Sequence, residues 1–477
     1  MVQNLKPYQN YKDSGVPWLG DVPEHWKVRK QRQVVKLLVS NVDKHSFENE
    51  KAVRLCNYVD VYKHDRITER LHFMKATATE DEIDRFRLRE GDVLVTKDSE
   101  SWNDIGVPAL VEYAADDLIC GYHLAILRPH LEQIIGAYLL RAIQSQGVAS
   151  QYYVSANGVT RYGLTHQGIK NVQIPIPPLP EQHAIARFLD HIDGRINRTI
   201  RAKRKLIALL NEQKQAIIHR AVTRGLDPDA PLRPSGVEWL GVIPAHWDVR
   251  RTKYVLREVD ERSKTGEETH LSMSQRFGLI PSSNIEERRL LSESYIGAKI
   301  CRENDLVLNR LKAHLGVFAL AKQDGLVSPD YTVLRPMADA SVRYFEMVLR
   351  APACRGELRK RAKGIVQGFW RLYTDDFYDI CVPFPPQPEQ DLIVRRVDEE
   401  LQVVEAAINR AYREMDLIRE YRTRLIADVV TGKFDVRAAA AALPEKLEEI
   451  EPEAAEDEEG DLDPEPDGQW EEETDAP

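Results

Sequence analysis

Apolar residues recur at alternating steps of three and four through two stretches of this chain. The first set is Leu189, Asp193, Ile196, Ile200, Lys203, Ile207, Leu210, Lys214, Ile217 and Ala221, seven of the ten apolar. The same steps taken 208 residues later give Val397, Leu401, Val404, Ile408, Ala411, Met415, Ile418, Arg422, Leu425 and Val429, where only Arg422 is polar. A stripe this narrow is a seam for one long partner helix, not a broad face for a globular core. Two helices are predicted, over 179–225 and 387–437, each roughly 60 Å long at 1.5 Å per residue, and they are expected to pack on each other.

Each helix follows a proline run. Ile174-Pro175-Ile176-Pro177-Pro178-Leu179-Pro180-Glu181-Gln182 is repeated as Val382-Pro383-Phe384-Pro385-Pro386-Gln387-Pro388-Glu389-Gln390. Alternate prolines hold the chain extended, and the last proline of each run suits the first turn of a helix, where a glutamate complements the helix dipole. A second pair of repeats lies upstream. Ser14-Gly15-Val16-Pro17-Trp18-Leu19-Gly20 through Pro23-Glu24-His25-Trp26 matches Ser235-Gly236-Val237-Glu238-Trp239-Leu240-Gly241 through Pro244-Ala245-His246-Trp247. Repeats this far apart mark a duplicated domain and not a solenoid, whose periods are much shorter. Two repeats related by a pseudo-twofold axis place their helices antiparallel.

Between these landmarks each copy alternates strand and helix signals. Val53–Tyr62 looks like a strand, and Glu90–Lys97 looks like a turn entering a buried strand, with Glu303–Arg310 in the same place in the second copy. Ala125–Pro129 and Thr332–Pro336 are matched strands closed by Arg-Pro, followed by helical patterns over 133–145 and 342–349. The fold class expected is α+β: two duplicated mixed α/β domains, over 1–178 and 226–386, separated by two long antiparallel helices.

Charge changes the picture once it is divided. The net charge of −10 includes an Ala-, Glu-, Asp- and Pro-rich tail, 438–477, which holds seventeen acidic residues against one lysine and so carries −16; the remainder is +6. The tail is expected to be disordered, and the folded part is basic enough to permit nucleic-acid binding. Five scattered cysteines without a C-x-x-C pair argue against a zinc site or a disulfide framework. With no signal-peptide pattern and no apolar run long enough to span a bilayer, a soluble, cytoplasmic protein is expected.

The duplicated unit, the P-x-P-P-x-P-E-Q boundary and the long helix after each copy together resemble the specificity subunit of Type I restriction–modification systems, over residues 14 to about 437. Gln387, standing where the first copy has Leu179, and the acidic tail depart from the family pattern. The resemblance implies two target-recognition domains, each reading one half of a split double-stranded DNA sequence. It also implies two methyltransferase subunits bound to the helices, and a translocating nuclease subunit that joins for restriction. S-adenosylmethionine would then belong to the methyltransferase, and ATP and Mg to the nuclease, with no cofactor or metal in this chain. No [N/D]-P-P-[Y/F], Walker A or post-strand G-x-G motif occurs, so no catalytic residue is assigned and the chain is expected to be non-catalytic. Asp92 and Lys97 fail as a nuclease pair because Val95 occupies the position of the second acid. His25 and His246 are expected to be structural, since neither has a recurring carboxylate or cysteine neighbour in sequence.

Base edges are read by Arg, Lys, Asn and Gln, and phosphates by basic and hydroxyl side chains, usually from loops beside a sheet. In the first domain the candidates are Lys97, Ser99, Trp102 and Asn103, then Asn157, Thr160, Arg161 and Tyr162. In the second they are Asn309, Arg310, Lys312 and His314, then Gln367, Trp370 and Arg371. Phosphate contacts are expected at Lys97 and Arg310 and base contacts near Asn157 and Gln367; Lys63, His64 and Arg66 form a further basic turn. A structural bridging protein, or a fused enzyme with an unrecognised motif, remains the competing expectation.

Overall fold

The computed structural model describes residues 5–274, 278–284, 295–337, 339–364 and 370–444. The described chain divides into two compact units, the first formed by residues 5–203 with 412–444 and the second by residues within 204–411.

In the first unit a five-stranded sheet runs in the order Val35–Val39, Leu124–Pro129, Val93–Thr96, Pro108–Val111 and Arg66–Ile67. Its central strands open with apolar runs, Leu124–Leu127, Val93–Val95 and Pro108–Val111, because both faces are covered there. Alternation still assigns the faces: Ala125 and Leu127 join one core, while Leu124 and Ile126 join another. The second unit repeats the plan with a four-stranded antiparallel sheet, Leu256–Val259, Tyr331–Pro336, Leu306–Asn309 and Phe318–Leu320. There Leu306, Leu308 and Leu334 enter one core and Val307 and Val333 the other. The matched Arg-Pro strands carry a matched ion pair. Arg128 grips buried Asp92 through two bonds of 2.9 and 2.8 Å, and Arg335 grips Asp305 at the same two distances. Asp92 is thus a structural carboxylate.

The strand expected over Val53–Tyr62 stops at Cys56 and gives way to the helix Tyr58–Lys63. Asn57 causes the switch: its side chain accepts from the Val59 and Asp60 amides while Asp60 caps the Asn57 amide in return. The tail expected to be disordered from Ala438 is ordered at its start, because Arg437–Ala441 is helical and Ala440 and Leu443 are buried, Ala440 within the first unit's core. Small apolar side chains let that segment pack closely. Residues 445–477 lie outside the described residues.

The two predicted helices are Leu179–Arg224 and Gln387–Val430, so each begins one residue before the last proline of its run. The second stops seven residues short of the expected 437. Gly432, at φ +76°, turns the chain after Val430, and Gly225, at φ +73°, does the same after Arg224. In the first unit the polar exceptions in the two apolar stripes meet each other. Arg422 clasps Asp193 with two bonds of 2.9 Å, and Lys203 pairs with Glu414, so the helices run antiparallel there. In the second unit Lys214 reaches Glu405 at 2.5 Å, and Ile218, Ala221 and Val222 share a core with Ile393, Val397 and Leu401.

Each unit is closed by the same junction. The proline-run strands Gln173–Ile176 and Cys381–Phe384 pair with the strands just after the tryptophans, Lys27–Lys30 and Asp248–Arg251. Trp26 and Trp247, both fully buried, donate from Nε1 to Glu181 and Glu389 at 2.9 and 3.0 Å. His25 and His246 stand 2.7 Å from the other oxygens of the same carboxylates. A carboxylate partner therefore does recur beside both histidines, contrary to the expectation from neighbouring sequence; it comes from the start of a long helix. The end of the other long helix meets the same tryptophan, since a Cβ on Gly432 would lie 3.2 Å from the Trp26 ring and one on Gly225 the same distance from Trp247. Gln182 and Gln390 complete the junction. Each accepts from a backbone amide, Ile135 or Ser341, and donates to two carbonyls, those of Gln133 and Pro177 or of Asp339 and Pro385.

Candidate nucleic-acid interface

In the first unit the two candidate loop sets, more than fifty residues apart in sequence, belong to one small sheet. Ala156–Gly158 and Tyr162–Leu164 form a hairpin whose second strand pairs with Asp98–Ser99, placing Tyr162 opposite Ser99. Gly158 is required at the turn, because a Cβ there would come 1.9 Å from the Arg161 carbonyl oxygen. Trp102, 53% exposed, meets Tyr153 edge to face at 6.4 Å beside the hairpin. Asn103, Asn157, Thr160 and Arg161 are all exposed, and Tyr162 is half-buried.

The candidates are not equally available. Lys97 is half-buried, bonded to Asp98 at 2.7 Å and lying 4.5 Å above the Tyr122 ring. Burial pushes the Asp98 carboxyl up, but Lys97 and His123, the latter 2.8 Å away, more than offset it and hold the group below its usual range. Lys97 is therefore part of a local charge cluster rather than an open cation. Ser99 is buried, and its hydroxyl accepts from the Ser101 amide. Asn157 donates from its amide nitrogen to the Ser155 carbonyl. Arg66, from the third basic turn, is held by Glu112 and by Asp190 of the first long helix, which leaves Lys63 exposed and His64 half-buried.

In the second unit Arg310 and Arg371 come together over one loop. Arg310 donates to the carbonyls of Asp330 and Pro329, and Arg371 bonds the Asp330 carboxylate at 3.1 Å. Burial, with the neighbouring Arg371 charge behind it, lowers the Arg310 pKa from its usual value. Arg359 lies 6.0 Å from the Trp370 ring centre. Asn309 serves the backbone: its oxygen accepts from the Leu311 and Lys312 amides, closing the turn that carries Lys312. Gln367 and the side chain of His314 lie outside the described residues. Sequence reasoning missed Tyr58, Tyr62, Tyr122 and His123, whose rings stack or meet edge to face beside Lys97 and Asp98; exposed tyrosines in two separate segments gave no periodic signal. Among the described residues no group of three or more His, Cys, Asp or Glu could hold a metal ion, and no helix is long and apolar enough to cross a membrane.

Two mixed α/β units are each closed onto the end of one long helix and the start of another, and each presents its own loop set. Residues 23–207 match the family model described as Type I restriction modification DNA specificity domain. It is 22% identical over 443 residues to the provisionally named type I restriction enzyme MjaX specificity subunit of Methanocaldococcus jannaschii, covering 90% of this chain and 97% of that one. It is 23% identical over 392 residues to the type I restriction enzyme EcoKI specificity subunit of Escherichia coli, covering 76% and 81%. A chain solved in work on complex assembly and conformational transition of the type I R-M system superposes with a TM-score of 0.61 at 18% identity, over 86% of this chain and 98% of that one, which shows the fold.

Proposed function

We propose that this chain reads a split, asymmetric DNA sequence, one half with each unit, and directs adenine N6 methylation by methyltransferase subunits that dock on the long helices. Nuclease subunits join the same assembly for restriction. Catalysis, S-adenosylmethionine, ATP and Mg belong to those partners, and the chain works with them in the cytoplasm. The observation that carries the reading is the contrast between junction and loops. The junction is repeated residue for residue, His-Trp on Glu and Gln on backbone, whereas the presented loops differ in chemistry: Trp102, Thr160 and Arg161 in one unit, Arg310 and Arg371 in the other. One scaffold with two loop sets suits two different half-sites. Two linked readers also raise each other's effective concentration on a site whose gap matches their span.

Of the candidates, Arg161 is favoured over Lys97 as a DNA contact in the first unit, because Lys97 is already paired. The test is DNA modification by the full chain with its methyltransferase partner. Methylation of a split motif with a fixed gap is expected; methylation without sequence preference, or equal methylation without this chain, would contradict the proposal.

A further inference from the structure

The hairpin of the first unit carries a side chain that neither the fold nor its turn requires. Val159 is 90% exposed and follows Gly158 in the three-residue connection to Tyr162. Turn positions of this kind favour Gly, Asn, Asp or Ser, each of which helps the chain reverse; a β-branched valine does not. Single exposed apolar residues are ordinary on protein surfaces. This one is set apart by its place, at the tip of a ribbon and flanked by Asn157, Thr160 and Arg161, all of them exposed hydrogen-bonding groups.

The base of the ribbon is held firmly. Leu164 donates its amide to the Lys97 carbonyl at 2.8 Å, Tyr162 and Gly163 pair with Ser99 and Asp98, and a Cβ on Gly163 would sit 3.3 Å from the Asp98 carboxylate. The tip is therefore presented by a fixed support. A two-stranded ribbon fits the major groove of undeformed B-form DNA, about 12 Å wide, whereas the minor groove, about 6 Å, admits one only when the duplex is deformed. Within the major groove the one apolar feature of the bases is the 5-methyl of thymine.

We propose that this hairpin is the element of the first unit that enters the major groove and that Val159 packs on a thymine methyl, with Arg161 and Thr160 engaging the flanking phosphates or base edges. The inference rests on the DNA-reading function proposed above and adds the base chemistry read at one position. The second copy carries Gln367 at the matching sequence position, a side chain type suited to adenine in place of a methyl group.

The experiment uses the full chain bound to its methyltransferase partner and duplexes bearing its methylated motif, with each thymine of the first half-site replaced in turn by uracil. At one position the wild-type complex is expected to lose about fourfold in affinity, the value of one buried methyl group. Val159→Ala should weaken binding to the thymine duplex and lose less than wild type on uracil at that position, while retaining the same second half-site. If uracil costs the wild type nothing at any position, or costs Val159→Ala as much as wild type at every position, the inference is overturned and the split-motif function stands. If the wild-type complex shows no sequence preference at all, the DNA-reading function itself fails, and the inference falls with it.

Discussion

Glu181 gathers four side chains: Trp26 and Tyr8 donate to one oxygen at 2.9 and 3.1 Å, His25 lies 2.7 Å from the other, and Arg437 approaches to 3.5 Å. Burial, and next the Glu181 charge, push the Tyr8 hydroxyl well above its usual pKa, so it remains a donor. Among the described residues Glu389 holds only the matching His-Trp pair, and it is more exposed. Removing Glu181 strands two donors in the interior. Glu181→Ala is expected to cost about 3 kcal/mol, and Glu389→Ala about 1 to 2 kcal/mol, in unfolding by urea. The two glutamates were visible in the sequence as helix-start residues, and the two His-Trp pairs as repeated landmarks. What joins them are contacts across 155 residues in one unit and 142 in the other, which proximity in sequence does not reveal. At the interface the same difference between identity and availability separates Arg161 from Lys97. Arg161→Ala should weaken DNA binding and reduce the log-log salt slope by about one, whereas Lys97→Ala should leave the slope unchanged and act through Asp98 and His123.

The long helices were the most legible elements, because a narrow apolar stripe sustained over ten steps has few other physical meanings. Their ends were less so. The second helix stops at Val430 since Gly432 adopts a left-handed conformation that fits against Trp26, and nothing in the stripe itself announces the stop. The polar exceptions in the stripes are the seam's register marks. Asp193 is bound by both Arg422 and Arg141, while Arg141 is also held at 2.7 Å by Asp190. Asp193→Leu removes the shared partner of both arginines, leaving Arg141 with Asp190 and Arg422 with Asp65 at 3.5 Å, and should cost about 3 kcal/mol; Arg422→Leu leaves Asp193 with Arg141 and should cost less. Burial raises the Asp193 pKa, but hydrogen bonds and charge from Arg422 and Arg141 outweigh it, so the folded value lies below that of the unfolded chain. The folded protein then binds fewer protons than the unfolded one. This stabilisation is complete above about pH 4, near the unfolded value, and is lost as the pH falls through the folded pKa. Asp193→Asn should flatten that part of the acid-stability profile.

Across the whole chain, the duplication was readable because landmark residues recur at constant offsets, and it carried the fold class. The loops were readable only as candidates. Their sequences do not repeat, and the structure decides among them by burial and pairing: it draws Ser99 and Tyr162 onto adjacent strands, occupies Lys97 with Asp98, and sets Arg310 beside Arg371. The central claim is that each unit reads its own half-site. The most direct test is genome-wide mapping of N6-methyladenine in cells expressing the methyltransferase partner with the wild-type chain, with Arg161→Ala or with Arg371→Ala. The wild type should give one split motif with a fixed gap, and each variant should relax or reduce recognition in one half, a different half for each, with the gap unchanged. If both variants altered the same half, or if methylation followed an uninterrupted motif, independent half-site reading by the two units would be contradicted.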